Sequence, residues 1–163
     1  MTPTPNGVEH QKTINMSTYT QIIYQIVFST KNHEHTLATI NRDELYRYVW
    51  GVLTKKDCHL YRIGSTTDHV HIVTHLHPSI ALAPLVRDIK ISSSGHIKTR
   101  QLFHRFDGWQ DSYGAFTYSI NERDRLIEYV KNQEQHHEIR TFKEEYIELL
   151  REHHIEFDEK YLW

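Results

Sequence analysis

Apolar and β-branched residues crowd into "YTQIIYQIVFST" (Tyr19 to Thr30) before the polar loop "KNHEH", a pattern that predicts a buried strand. Helical spacing follows. "NRDELYRYVWGVLTKK" puts Leu45, Val49, Val52 and Leu53 on one side, with Asn41 as the expected N-cap and Glu44 as its capping-box partner. "HLYRIGST" and "HVHIVTHL" lie either side of a short polar turn and read as an antiparallel hairpin. After "HPSIALAP" a second helix is expected, with Pro84 in its first turn and Leu85, Ile89, His96 and Ile97 inward, although Ser92, Ser93, Ser94 and Gly95 weaken the pattern. "YGAFTYSI" alternates like a fourth strand. "NERDRLIEYVKNQEQHH" and "TFKEEYIELLREHH" read as two closing helices, the last opened by Thr141 and Glu144 as a capping box.

Strand, helix, strand, strand, helix, strand and closing helices make the split βαβ order. The expected class is therefore α+β, a ferredoxin-like antiparallel sheet with helices on one face plus C-terminal helices. Residues 18–163 fit one domain, and the Thr/Pro-rich residues 1–17 read as a disordered leader without the basic and apolar runs of a signal peptide. This fold carries many functions, so function has to come from the site.

Composition narrows the class. With 38% hydrophobic residues and ten Tyr, six Phe and three Trp, the chain is too apolar for a disordered protein. Cys58 is the single cysteine, which excludes a disulfide framework and a cysteine zinc cluster and points to a reducing cytoplasm. The longest apolar run, "IIYQIVF", has a glutamine inside it and falls far short of a membrane span. The formal charge of −2 is unevenly spread: residues 1–120 hold 12 Lys and Arg against 9 Asp and Glu, and residues 121–163 hold 7 against 12. "RDIKISSSGHIKTRQLFHR" places Arg87, Lys90, Lys98, Arg100 and Arg105 against one acid, Asp88, and reads either as a phosphate-binding surface or as a solvated face.

"DHVHIVTHLHP" sets His69, His71, His75 and His77 at odd positions of one strand. Side chains two apart share a face, so His69 and His71 project together while Val70 and Ile72 point the other way. The pair reads as half of a divalent-metal site or as the wetter face of a half-buried strand. A metal site needs at least a third ligand. In "LIEYVKNQEQHH", Tyr129 and Gln133 stand one helical turn apart, with His136 and His137 a further turn along. Tyr129 taken alone reads first as an ordinary packing residue of an amphipathic helix.

Taken together, "DHVHIV", "LVRDIKISSS", "FTYSINERDRLIEYVKNQEQHH", "FKEEYIELL" and "FDEKYLW" resemble the single-tyrosine HUH transposases of bacterial insertion sequences, the IS200-like family, and the related REP-associated tyrosine transposases. The resemblance runs from about Tyr19 to the C-terminus. It implies Tyr129 as nucleophile, His69 and His71 as metal ligands, and Gln133 as the third ligand, with the role of His136 and His137 open. It also implies Mg²⁺ or Mn²⁺, a homodimer, and action on single-stranded DNA with hairpins. A tyrosine nucleophile suits cutting and rejoining, because a phosphotyrosine ester conserves the energy of the broken phosphodiester. There is no Walker-type motif and no nucleotide cofactor is expected. Two other readings remain: a non-catalytic single-stranded nucleic-acid binding module derived from a transposase, with Arg87, Lys90, Lys98 and Arg100 tracking the backbone, and a hydrolase using metal-bound water.

Overall fold

The computed structural model describes residues 18–163, so the expected leader at 1–17 lies outside the described residues. The first strand, β1, spans Ile23–Ser29, shorter at its start than the apolar run suggests. Helix α1 (Arg42–Lys55) leads to β2 (His59–Ser65) and β3 (His69–His75), followed by α2 (Leu82–Arg100) and β4 (Gly114–Tyr118). Helices α3 (Arg123–Lys131), α4 (Gln133–His137) and α5 (Phe142–Glu152) close the chain.

The sheet runs β2-β3-β1-β4, and each neighbouring pair is antiparallel. This is the split βαβ topology expected from the order of elements. Strand alternation divides the core into two layers. Ile26, Phe28, Val70 and Ile72 face α1 and α2, where they meet Leu45, Val49, Leu85 and Ile89. Val27 and Phe116 face the other way onto Phe142, Leu149 and Leu150 of α5, while Ile23 and Val73 meet Leu126 and Val130 of α3. The C-terminal helices thus cover the face that carries His69 and His71, and neither histidine is on a wet surface.

Two local expectations differ from the structure, and the helix expected after "HPSIALAP" runs through its serines. The helix expected over Asn121–His137 breaks at Asn132, whose backbone leaves helical values (φ −96°, ψ 20°). Asparagine side chains compete with the helical backbone for hydrogen bonds, which makes this a natural break point. Asn41 does not cap α1 with its side chain; its amide donates to the carbonyl of Leu102 at 2.6 Å, and Glu44 turns to His96 and Arg100. The serines of α2 do not end it. Ser92 Oγ donates back to the Asp88 carbonyl at 2.6 Å, and the buried Ser93 hydroxyl accepts from Trp109 Nε1 at 2.9 Å. The capping box at Thr141 and Glu144 is present as expected.

Gly64 sets how closely α3 approaches the sheet. A Cβ at this position would lie 2.5 Å from the carbonyl oxygen of Val130, next to Tyr129. Only glycine lets the tyrosine helix settle there.

Candidate active site and metal centre

β3 is an inner strand, so its alternation delivers His69 and His71 side by side under α3 and α5, both wholly buried. Their outer nitrogens have different partners. His69 Nδ1 lies 2.6 Å from Asp68 Oδ1 and 2.8 Å from Thr66 Oγ1, and Thr66 donates to Asp68 at 2.9 Å. A carboxylate accepts only, so the neutral ring carries its hydrogen on Nδ1 and turns the Nε2 lone pair inward. His71 Nδ1 instead meets the amide nitrogen of Gln25 at 2.9 Å.

Tyr129 and Gln133 arrive from α3 and α4 despite the break between them. The Tyr129 hydroxyl donates to Glu145, and the ring stands edge-on to His71 with centroids 6.1 Å apart. Gln133, almost wholly buried, donates from Nε2 to the same Glu145 oxygen at 3.2 Å. His136 stacks on Tyr129, whereas His137 reaches the other Glu145 oxygen with its Nε2. The two adjacent histidines therefore separate: one flanks the tyrosine, the other enters the site.

Glu145 on α5 is the hub. Its carboxylate lies 3.2 Å from His71 Nε2 and 3.5 Å from His69 Nε2, with no exposure to solvent. His69 Nε2, His71 Nε2 and Gln133 Oε1 are nonetheless buried without a hydrogen-bond partner. Orphaned buried polar atoms are costly and rare. Two imidazole nitrogens, an amide oxygen and a carboxylate are a donor set that fits a divalent cation, and His69, His71 and Glu145 have ligand atoms within 4.8 Å of one another.

The electrostatics follow from burial and this carboxylate. Burial works against ionising Glu145, but His71, His137 and His69 outweigh it and hold its carboxyl far below the ordinary range. Burial pushes the Tyr129 phenol well above its usual value, and the Glu145 charge pushes it further. Burial also keeps His71 below the usual imidazole value, while Asp68 and Glu145 overcome burial at His69 and raise it. A cavity of about 170 Å³ opens beside Tyr129, lined also by Tyr118, Arg125 and Arg140. Arg140 Nη2 lies 3.4 Å from the Tyr129 hydroxyl.

Arg87, Lys90, Lys98 and Arg100, the four basic residues expected to track a nucleic-acid backbone, sit on α2, across the sheet from this site. Arg87 and Lys98 are exposed, and Arg100 pairs with Glu44 at 3.0 Å. Lys90 is half-buried, and its ammonium donates to the carbonyls of Gln110, Asp111 and Ser112 at 2.7, 3.1 and 2.8 Å. Burial lowers its pKa to about 8. His75 bonds to the backbone of Ile22, and His77 to Ser79, both away from the site.

The family model described as "Transposase IS200 like" matches residues 18–133. The chain belongs to the IS200-like transposases. The match spans β1 through Gln133 and so includes His69, His71, Tyr129 and Gln133, while Glu145 lies beyond it. Two solved structures share the fold. A Deinococcus radiodurans protein assigned as a transposase is 22% identical, with a TM-score of 0.53 over 72% of this chain and 95% of that one. A REP-associated tyrosine transposase bound to a REP hairpin is 14% identical, with a TM-score of 0.54 over 75% of this chain and 74% of that one. No curated protein matches.

Glu145 escaped the sequence reading, although a signal was present. Phe142, Glu145 and Leu149 follow the helical spacing of a buried stripe, and a carboxylate in such a stripe needs partners inside the protein. Among the described residues no helix is long and apolar enough to cross a membrane.

Proposed function

We propose that this transposase cleaves and rejoins single-stranded DNA through a 5′-phosphotyrosine bond to Tyr129, with Mg²⁺ or Mn²⁺ held by His69 and His71 together with Gln133 and Glu145. The observation that carries this reading is the convergence of the Tyr129 hydroxyl, both histidine Nε2 atoms and the Gln133 amide on one buried carboxylate beside an open cavity. When bound, the cation supplies positive charge to the phosphate as charge builds in the transition state.

The protein's own groups account for the rest. The Tyr129 oxygen attacks phosphorus, the bond from phosphorus to the 3′-oxygen breaks, and a 3′-hydroxyl leaves. One ester replaces another, so no nucleotide is consumed. Glu145 accepts the Tyr129 hydrogen bond and is placed to take the proton, which passes to the departing 3′-oxygen. Arg140, 3.4 Å from the hydroxyl, is placed to meet a phosphate oxygen.

The substrate is single-stranded DNA containing a hairpin. In support, the REP-associated relative was solved with a hairpin. Arg87 and Lys98, exposed on α2, are the proposed phosphate contacts from the basic segment, while Lys90 and Arg100 are engaged with protein groups. The resemblance implies a homodimer. Tyr129 lies beside His71 of its own chain, which supports a site in which each chain supplies its own nucleophile.

The deciding experiment is isolation of a covalent adduct. Incubation with Mn²⁺ and a hairpin-bearing single strand should give a 5′-phosphotyrosine peptide containing Tyr129, and Tyr129→Phe should abolish it while DNA binding persists. Cleavage retained by Tyr129→Phe would exclude this mechanism and favour hydrolysis by water. DNA binding with no cleavage by the unaltered protein would favour the non-catalytic binding module.

A further inference from the structure

Gln25 lies at the centre of β1, wholly buried among apolar side chains. A buried amide is costly unless paired, and this one is paired along a single line. Gln25 Nε2 stands 2.9 Å from His71 Nδ1, and the Tyr118 hydroxyl donates to Gln25 Oε1 at 2.8 Å. His153, the C-cap of α5, places Nε2 3.2 Å from the Tyr118 hydroxyl. Side chains from β3, β1, β4 and the end of α5 thus form one chain that terminates on His71.

The polarity of each link dictates the next. With Gln25 donating to His71 Nδ1, that nitrogen contributes its lone pair and the ring hydrogen sits on Nε2, which faces Glu145 at 3.2 Å. A nitrogen that carries hydrogen cannot ligate a metal. Half a turn of the Gln25 amide reverses every link: His71 donates from Nδ1 to Oε1, Gln25 donates to Tyr118, and Tyr118 donates to His153. Nε2 of His71 then offers a lone pair. Both polarities pair the same atoms, so the chain can exist in either.

We propose that Gln25 is a positioning residue that decides which nitrogen of His71 carries the hydrogen, and thereby whether His71 can ligate the cation. His69 has no such freedom, because Asp68 only accepts and holds the hydrogen on Nδ1. One ligand is fixed in its metal-binding form and the other is switchable, with Tyr118 and His153 backing the switch. The inference rests on the reading of His69 and His71 as metal ligands.

Gln25→Glu and Gln25→Met test it. A carboxylate at position 25 accepts from both His71 and Tyr118 and locks the ligating form; methionine fills the space without fixing either form. Ring-nitrogen NMR of the metal-free proteins should find the His71 hydrogen on Nε2 in the unaltered chain and on Nδ1 in Gln25→Glu. Mn²⁺ titration calorimetry should find Gln25→Glu binding at least as tightly as the unaltered chain, and Gln25→Met roughly 10-fold more weakly or worse, the usual range for loss of a ligand's hydrogen-bond partner. If the buried carboxylate prevents folding, Gln25→Met still decides. Mn²⁺ affinities indistinguishable between Gln25→Met and the unaltered chain would overturn the role of Gln25 and leave the metal reading intact. No Mn²⁺ binding by the unaltered chain would overturn both.

Discussion

Glu145 on α5 accepts the hydroxyl hydrogen of Tyr129 on α3. This contact joins two helices through the group that the proposed chemistry needs to deprotonate, and it holds the phenol in its protonated form.

Removing the charge of Glu145 should therefore free the phenol and weaken catalysis at the same time. In Glu145→Gln the Tyr129 ionisation should move down toward the ordinary phenol value, since burial remains and the carboxylate charge is gone. Difference titration of tyrosinate absorbance against the Tyr129→Phe background measures this. Cleavage should fall by roughly 10²-fold or more, the usual scale for loss of a positioned base. An unchanged cleavage rate would remove Glu145 from the mechanism.

Acid should destabilise the metal-free protein through Asp68 and Glu145. Burial raises both carboxyls, but His69 and Thr66 at Asp68, and His71, His137 and His69 at Glu145, bring each below its unfolded value. A depressed carboxyl contributes stability that is present above the unfolded pKa and is lost as pH falls toward the folded one. Melting temperature should thus decline as pH drops below about 4, and Asp68→Asn should show a shallower decline.

Two glycines should respond in opposite ways to alanine. Gly64→Ala forces a Cβ against the Val130 carbonyl and should cost about 1–3 kcal/mol in urea denaturation, with loss of cleavage as α3 shifts. Gly51 in α1 has open space around a Cβ, and Gly51→Ala should stabilise by about 0.5–1 kcal/mol with cleavage unchanged.

Lys90 and Lys98 share a helix but should separate in function. Lys98→Ala should weaken binding to single-stranded DNA and reduce its salt dependence, as expected for a lost phosphate contact. Lys90→Met should lower thermal stability instead, because it leaves three loop carbonyls without their shared donor. Equal losses of DNA affinity in the two variants would show that Lys90 leaves its carbonyls to reach the strand.

Much of the fold was legible because its signals are local. Alternation along "HVHIVTHL" put His69 and His71 on one face and Val70 and Ile72 on the other, and the structure keeps that division. Thr141 and Glu144 announced the start of α5 three residues apart. Where local signals competed, the reading slipped: Asn41 had the character of a cap but found the Leu102 carbonyl, and Asn132 interrupted a pattern that looked continuous. Lys90 reads as surface charge in any sequence, since nothing nearby in the chain reveals that residues 110–112 fold over it.

The sequence by itself determined the strand and helix periods, hence the faces on which His69, His71, Tyr129 and Gln133 lie. It also held two warnings, a glutamine inside an apolar strand and a glutamate inside an apolar helical stripe. Only the tertiary structure decided that Glu145 joins the histidines to the tyrosine, that His137 rather than His136 enters the site, and that Gln25 backs His71. The reason is physical. Periodicity fixes where a side chain points relative to its own element, but which groups meet depends on how α3 and α5 dock on the sheet, and that docking is set by close packing at sites such as Gly64.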